Sequence, residues 1–236
     1  MSKWKEYNHP KKRGRYLIKF MSQDNLLRFL ENGEIWFSRA SEFGDKMECV
    51  TIDDLKKTEF PFDKLLKRKH RHLISCWHNV GRESISMWDT SFLSLRERRV
   101  YAIKFEFHTL VDRVSDSRFE CNPEELHYGN VVYKNLLRDK EQIEKDRVRS
   151  SAFRKEYSYK YEQEFRFVAR RKQEFSKVGY GLMLGPAEQL EFQIMVNPLL
   201  KKDEYKEYKE QVMKHRVGKN KYTDSELVRW LQPLKW

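Results

Sequence analysis

The stretch Tyr161-Glu162-Gln163-Glu164-Phe165-Arg166-Phe167 decides how this chain is read. If it is extended, successive side chains turn to opposite faces. Tyr161, Phe165 and Phe167 then share one face, directed toward a core, and Glu162, Glu164 and Arg166 share the other. A half-apolar strand this late in the chain calls for a sheet. Its charged face is either a salt-bridged, solvated surface or the floor of an active site.

Working outward, the preceding sequence supplies the rest of a sheet. Arg15 to Phe20 alternates as a first strand, and Glu34 to Ser38 as a second. Between them Ser22 is a good N-cap, and Asp24 adds negative charge to the first helical turn. Leu26, Leu27, Phe29 and Leu30 make an apolar stripe, and Asn32-Gly33 supplies a left-handed stop. The opening unit is therefore strand, short helix, strand. Residues 51–70 read as helical with an interruption at Pro61, and Leu73 to Trp77 as a buried strand. After a turn at Gly81, Ser84 to Trp88 forms one short helix. Val100 to Phe107 alternates as a strand, and His127 to Tyr133 is another. Residues 137–156 are highly charged and suit an exposed helix. Gly179 to Leu184 and Gln189 to Val196 are further strands, Lys202 to His215 is a charged helix, and a last strand lies near Leu227 to Leu231. Strands outnumber helices and many connections are short. The expected fold is α+β, with a mixed, mostly antiparallel sheet flanked by helices.

At 236 residues the chain suffices for one sizeable domain or two small ones. No linker, repeat or low-complexity block divides it, so a single domain over 15–236 is expected behind a flexible basic arm, 1–14, that carries Lys3, Lys5, Lys11, Lys12 and Arg13. With 48 Lys+Arg against 36 Asp+Glu, the net charge is +12. That excess points to an anionic partner, nucleic acid or an acidic protein surface, with solubility alone as the plainer explanation. Aromatic residues at 14% rule against disorder and suit both a packed core and base stacking. No apolar run is long enough to span a bilayer, and the polar start is not a secretory signal. Cys49, Cys76 and Cys121 form neither a zinc spacing nor a disulfide framework, which fits a reducing cytoplasm. A monomer is expected.

The run Lys64 to His72 places Lys64, Lys67, Arg68, Lys69 and Arg71 on or just after a helix. Such a helix can neutralise phosphates, or it can be an ordinary solvated face. His70 and His72 straddle one residue, but no neighbour completes a tetrahedral set, so no metal is expected. Ser75-Cys76-Trp77-His78 sets a thiol beside an imidazole, yet strand neighbours face opposite ways, and Cys76 reads as a buried small residue. No phosphate-binding glycine loop, dinucleotide fingerprint, zinc-protease pair or nucleophile elbow is present. Carboxylate chemistry, phosphate binding through Arg and Lys, or no chemistry remain.

Taken in order, Tyr16 to Phe20, Leu30 to Ser38 with Phe43 to Glu48, Ser75-Cys76-Trp77 with Met87-Trp88, and Tyr161 to Arg166 resemble the bacterial and phage family catalogued as domain of unknown function 2971. The likeness spans residues 15–200. The sequence departs from that pattern at Phe43 to Glu48, which lacks the usual Asn and Pro, at Trp77 in place of Phe, and after Trp88, where a Tyr often follows. The strand order is more distantly similar to the ADP-ribosyltransferase fold. That resemblance implies an NAD-dependent enzyme that transfers ADP-ribose to nucleic acid or protein, or hydrolyses NAD, in phage–host conflict. It implies NAD as substrate, with Arg15, Tyr16, Lys19, Trp36, Ser38 and Trp88 around it. Glu164 would stabilise the oxocarbenium charge, Glu162 would take a proton from the nucleophile, and Arg166 would orient a carboxylate. Two other readings stand beside it: a nucleic-acid-binding or nuclease module, and a non-catalytic inhibitor with a basic surface.

Overall fold

In the computed structural model, residues 4–8, 15–80, 83–89, 99–136, 138 and 151–228 are described. In chain order the strands and helices of the first half are β1 (Trp4–Asn8), β2 (Tyr16–Met21), α1 (Gln23–Asn32), β3 (Glu34–Arg39), α2 (Ile52–Leu55), α3 (Phe62–Lys69), β4 (His72–Val80), α4 (Ile85–Trp88), β5 (Tyr101–Glu106) and α5 (Phe107–Asp116). Then follow β6 (Glu125–Asn130), β7 (Val132–Lys134), β8 (Arg154–Glu156), β9 (Glu164–Arg170), β10 (Gly179–Met183), β11 (Phe192–Val196), α6 (Lys202–Lys214) and α7 (Arg216–Lys221). The protein is α+β with a mixed sheet, as its sequence implies. Its contacts divide into two compact units, and β4 supplies residues to each.

One unit comprises residues 1–12, 36–76 and 118–182. Its strands run in the order β1-β6-β9-β4, with β3 also on β4 and β10 on β3. β1 lies parallel to β6, whereas β6–β9 and β3–β4 are antiparallel. The expectation of a flexible arm over 1–14 fails at residues 4–8, because Trp4 and Tyr7 have apolar partners to bury against. Trp4 packs on Phe37, Phe119 and Phe167, and Tyr7 stacks on Phe153 at 4.9 Å. Lys3, Lys11, Lys12 and Arg13 lie outside the described residues, as do the Gly81 turn and most of the helix expected over 137–156. Ala40, Cys49, Val50, Leu65, Ile74, Phe153 and Val168 form an apolar cluster under α3. α2 opens on a complete capping box, with Thr51 and Asp54 exchanging hydrogen bonds.

The decisive stretch is a strand only from Glu164 onward. Tyr157 to Glu162 winds as a 3-10 turn, and Gln163 adopts a left-handed backbone with φ 40°. Tyr161, expected in the core, is 50% exposed for that reason. Phe165 and Phe167 are buried as expected, and the other face of β9 is buried too.

The second unit comprises residues 13–35, 77–117 and 183–236. Its strands are antiparallel in the order β4-β2-β5-β11. α1 begins at Ser22 and stops at Gly33, whose N–H donates to the Phe29 carbonyl at 2.7 Å. Gly33 is required twice over: its φ is 63°, and a Cβ there would sit 1.7 Å from the Gly185 carbonyl oxygen. α1 buries Leu26, Phe29 and Leu30, with Phe29 edge-on to Phe105 and Phe192. α5 lies where no helix is expected from the strand-like reading that ends at Phe107. Its buried Phe107, Leu110, Val111 and Val114 follow helical spacing. Of the last expected strand, Leu227 lies in a turn and residues 229–231 are outside the described set.

Candidate nucleic-acid interface

Two constellations stand out, and both lie in the first unit. The alternation that buries Phe165 and Phe167 on one face of β9 places Glu164, Arg166, Val168 and Arg170 on the other. That face begins as a buried ion network and ends, about 13 Å further along, at a cationic cleft.

In the network, Arg166 is fully buried. Its Nη1 and Nη2 donate to the two carboxylate oxygens of Glu48 at 2.6 and 2.9 Å, its Nε to Glu164 at 2.5 Å, and Nη1 also to the Ala152 carbonyl at 2.6 Å. Lys155 Nζ bridges Glu164 at 3.1 Å and Glu162 at 2.5 Å and stands over the Tyr159 ring. The Glu164 backbone N–H donates to the Tyr133 hydroxyl at 2.7 Å. Burying each of these ions costs several kcal/mol, which only complete pairing offsets. Burial and the neighbouring Glu164 carboxylate push the Glu162 carboxyl up. Burial also opposes the charged form of Glu164, but Arg166 and Lys155 overcome it and hold that carboxyl below the usual range. The acids of the decisive stretch thus turn inward and are met by the protein's own cations. Glu48, which completes the network, lies in a loop of the sequence and carries no signal of its role there.

The cleft, about 810 Å³, lies between α3 and the β6–β9 pair. Lys64, Lys67 and Arg68 line one wall at the i, i+3, i+4 spacing that aligns side chains along one face of α3, and Arg71, just past its end, joins them. The other wall carries Glu125 and His127 of β6 opposite Arg170 and Val168 of β9. Tyr7, Thr51, His72 and Ser151 complete it. Among the described residues, Glu125 is the one carboxylate in a lining with five Lys and Arg side chains. Glu125 is already committed, with Arg170 Nη1 at 2.8 Å and His127 Nε2 at 3.7 Å. Arg68 is held by Asp54 at 2.5 Å and by the Cys49 carbonyl at 3.0 Å. Lys64 and Lys67 are exposed and have no ion pair among the described residues. Among the described residues, the buried Arg71 Nε has no hydrogen-bond partner. The cleft is therefore positive with cations to spare.

The structure sorts the residues singled out from the sequence. Of the basic run, Lys64, Lys67, Arg68 and Arg71 reach the cleft and Lys69 does not. Lys69 is 7% exposed, because its Nζ turns back to the carbonyls of Asp45 and Lys46 at 3.0 and 3.2 Å. His70 and His72 have separate partners, Glu174 at 3.0 Å and the Arg68 carbonyl at 2.8 Å. Among the described residues no cluster of His, Cys, Asp and Glu could hold a metal ion. Cys49 is fully buried, and burial pushes its thiol up, while Cys76 and Cys121 are half-buried.

Arg15, Tyr16, Lys19 and Trp88 belong to the second unit, and Trp36 and Ser38 to the first. On β2, Tyr16 and Lys19 are three residues apart and emerge on opposite faces. Trp88, expected as a stacking surface, is 0% exposed, with Nε1 donating to Glu83 at 3.1 Å and its ring met edge-on by Phe20. It is a core residue. Arg15 lies over the Tyr16 ring, Lys104 stands 4.3 Å from that ring, and Lys19 lies over Trp77. In the first unit, Trp36 packs against Gly179. Ser38 shares its β3 face and pairs with Ile74. Sequence reasoning missed His72 and His127 as cleft residues, along with Tyr7, Ser151 and Arg170, which only long-range pairing brings opposite α3. Among the described residues no helix is long and apolar enough to cross a membrane.

No protein-family model, curated protein or solved structure matches this chain.

Proposed function

We propose that the first unit binds the phosphate backbone of a nucleic acid in the cleft beneath α3. One observation carries this reading: Lys64, Lys67 and Arg68 of α3, with Arg71 just past its end, face the same cleft as Arg170, and Glu125 is the one carboxylate among the described lining residues. The helical cations run about 6 Å along α3 and Arg71 continues the row past its end, so the row meets an extended polyanion rather than a point charge. Two exposed lysines supply contacts that release counterions, the main source of affinity for a phosphate chain. Tyr7, stacked on Phe153 and edge-on to His127, adds an aromatic side chain to the floor. The net charge of +12 favours approach of the same ligand.

The test is fluorescence anisotropy of a labelled single-stranded oligonucleotide across a salt series. Binding at about 50 mM salt that weakens steeply by about 200 mM is expected. Affinity that is absent at low salt, or indifferent to salt, would end the proposal.

The Glu162–Glu164 pair supports a second reading, ADP-ribosyl transfer from NAD. One lysine bridges the two carboxylates, and their environments drive their proton affinities apart, as in acid–base pairs. Nicotinamide release from NAD that is lost in Glu162→Gln supports it. No release by the wild-type protein excludes it.

A further inference from the structure

His72, the first residue of β4, distinguishes this cleft from a generic phosphate groove. Its Nδ1 lies 2.8 Å from the Arg68 carbonyl oxygen. A carbonyl can only accept, so Nδ1 carries the hydrogen and donates it. In the neutral ring Nε2 is then left with a lone pair. The side chain is 4% exposed and lines the cleft, and among the described residues its ring makes the Nδ1 hydrogen bond and none at Nε2. Burial, opposed by the bond to Arg68 and reinforced by the charges of Arg170 and Arg68, pushes the imidazole down to about 4, which keeps the ring neutral. An acceptor is thus fixed on the floor of a cleft walled by cations.

Phosphate oxygens cannot satisfy it, because in a phosphodiester they too are acceptors. The ligand must bring a donor within a few ångströms of its phosphate. A ribose 2′-hydroxyl is such a donor, and deoxyribose has none. We propose that the cleft selects RNA over DNA and that His72 Nε2 accepts a hydrogen bond from a ribose 2′-hydroxyl. This rests on the nucleic-acid reading above and adds the class of nucleic acid. The cations hold either backbone, and the imidazole tells them apart.

The test compares three single-stranded ligands of one base sequence on the wild-type protein: RNA, DNA and 2′-O-methyl RNA. RNA is expected to bind about tenfold more tightly than the other two, the worth of one buried hydrogen bond made or left unmade. All three should share one salt dependence, because their phosphate contacts are the same. His72→Phe keeps a flat ring without the acceptor and should bring RNA down to the DNA affinity. His72→Gln places a carbonyl oxygen near the Nε2 position and should restore part of the preference. Equal binding of RNA and DNA overturns this inference and leaves the nucleic-acid reading standing. RNA and 2′-O-methyl RNA binding alike overturns it as well, as does a preference that survives in folded His72→Phe. Binding of none of the three overturns both proposals. If His72→Phe does not fold, the three ligands on wild-type protein still decide the matter.

Discussion

Replacing Lys64 and Lys67 together by alanine isolates the electrostatic part of the cleft. Both side chains are exposed on α3, and neither has an ion pair among the described residues. Alanine is the better helix former, so the fold should be unharmed. Each phosphate contact on a single strand contributes about 0.7 to the slope of log K against log salt, so the double variant should flatten that slope by about 1.4. At about 0.1 M salt, two such contacts amount to about a 25-fold loss of affinity, and at about 0.5 M to about threefold. The two lines should therefore converge as salt rises. Anisotropy titrations at four or more salt concentrations measure this directly, with thermal melting to confirm that stability is unchanged. Parallel lines, with affinity lost equally at every salt concentration, would refute the reasoning, since the lysines would then act through structure and not through phosphate contacts.

The remaining predictions concern the scaffold. Arg166→Met strands the buried carboxylate of Glu48, leaves Glu164 to Lys155, and should cost about 3–5 kcal/mol in urea unfolding; a loss under about 1 kcal/mol would mean the network is dispensable. Burial favours the neutral form of Asp54, but hydrogen bonds from Arg68 and Thr51 outweigh it and bring the carboxyl down to about 2. With an unfolded value of about 3.9, that carboxylate stabilises the fold above about pH 4, and its contribution disappears as pH falls toward 2. Asp54→Asn should remove that part of the acid dependence, and superimposable acid-unfolding curves for variant and wild type would contradict it. Gly33→Ala forces a left-handed residue and a clash with the Gly185 carbonyl and should lower stability by more than about 1 kcal/mol. Gly44→Ala, with open space around its Cβ, should change it little. Equal melting temperatures for the two alanine variants would contradict this.

How much of this was legible in the sequence varies with the range of the interactions. The opening β2-α1-β3 unit follows from local signals: the Ser22 cap, the Leu26, Phe29 and Leu30 stripe, and the Gly33 stop. The stripe of Lys64, Lys67 and Arg68 is equally local, and helical spacing separates Lys69 from it, while Arg71 lies just past the helix end. α5 was legible too in Phe107, Leu110, Val111 and Val114, but the alternation of the strand before it masks the change of period. The far wall of the cleft was not legible. Glu125 meets Arg170, and His127 meets Val168, only because β6 pairs with β9 in one register. Arg166 was misleading for the same reason. Alternation marks a charged strand face as outward or as an active-site floor, and nothing near it in sequence reveals Glu48, 118 residues away, which completes its pairing inside the protein.

The location of the bound chain tests the account most directly. A photoreactive single-stranded oligonucleotide, cross-linked at about 50 mM salt and mapped by mass spectrometry, reports which residues it touches. Adducts are expected within residues 64–72, 125–127 and 168–170, and they should disappear in the Lys64→Ala/Lys67→Ala protein. Adducts confined to the helices Lys202–Lys214 and Arg216–Lys221, with none in the cleft, would contradict it.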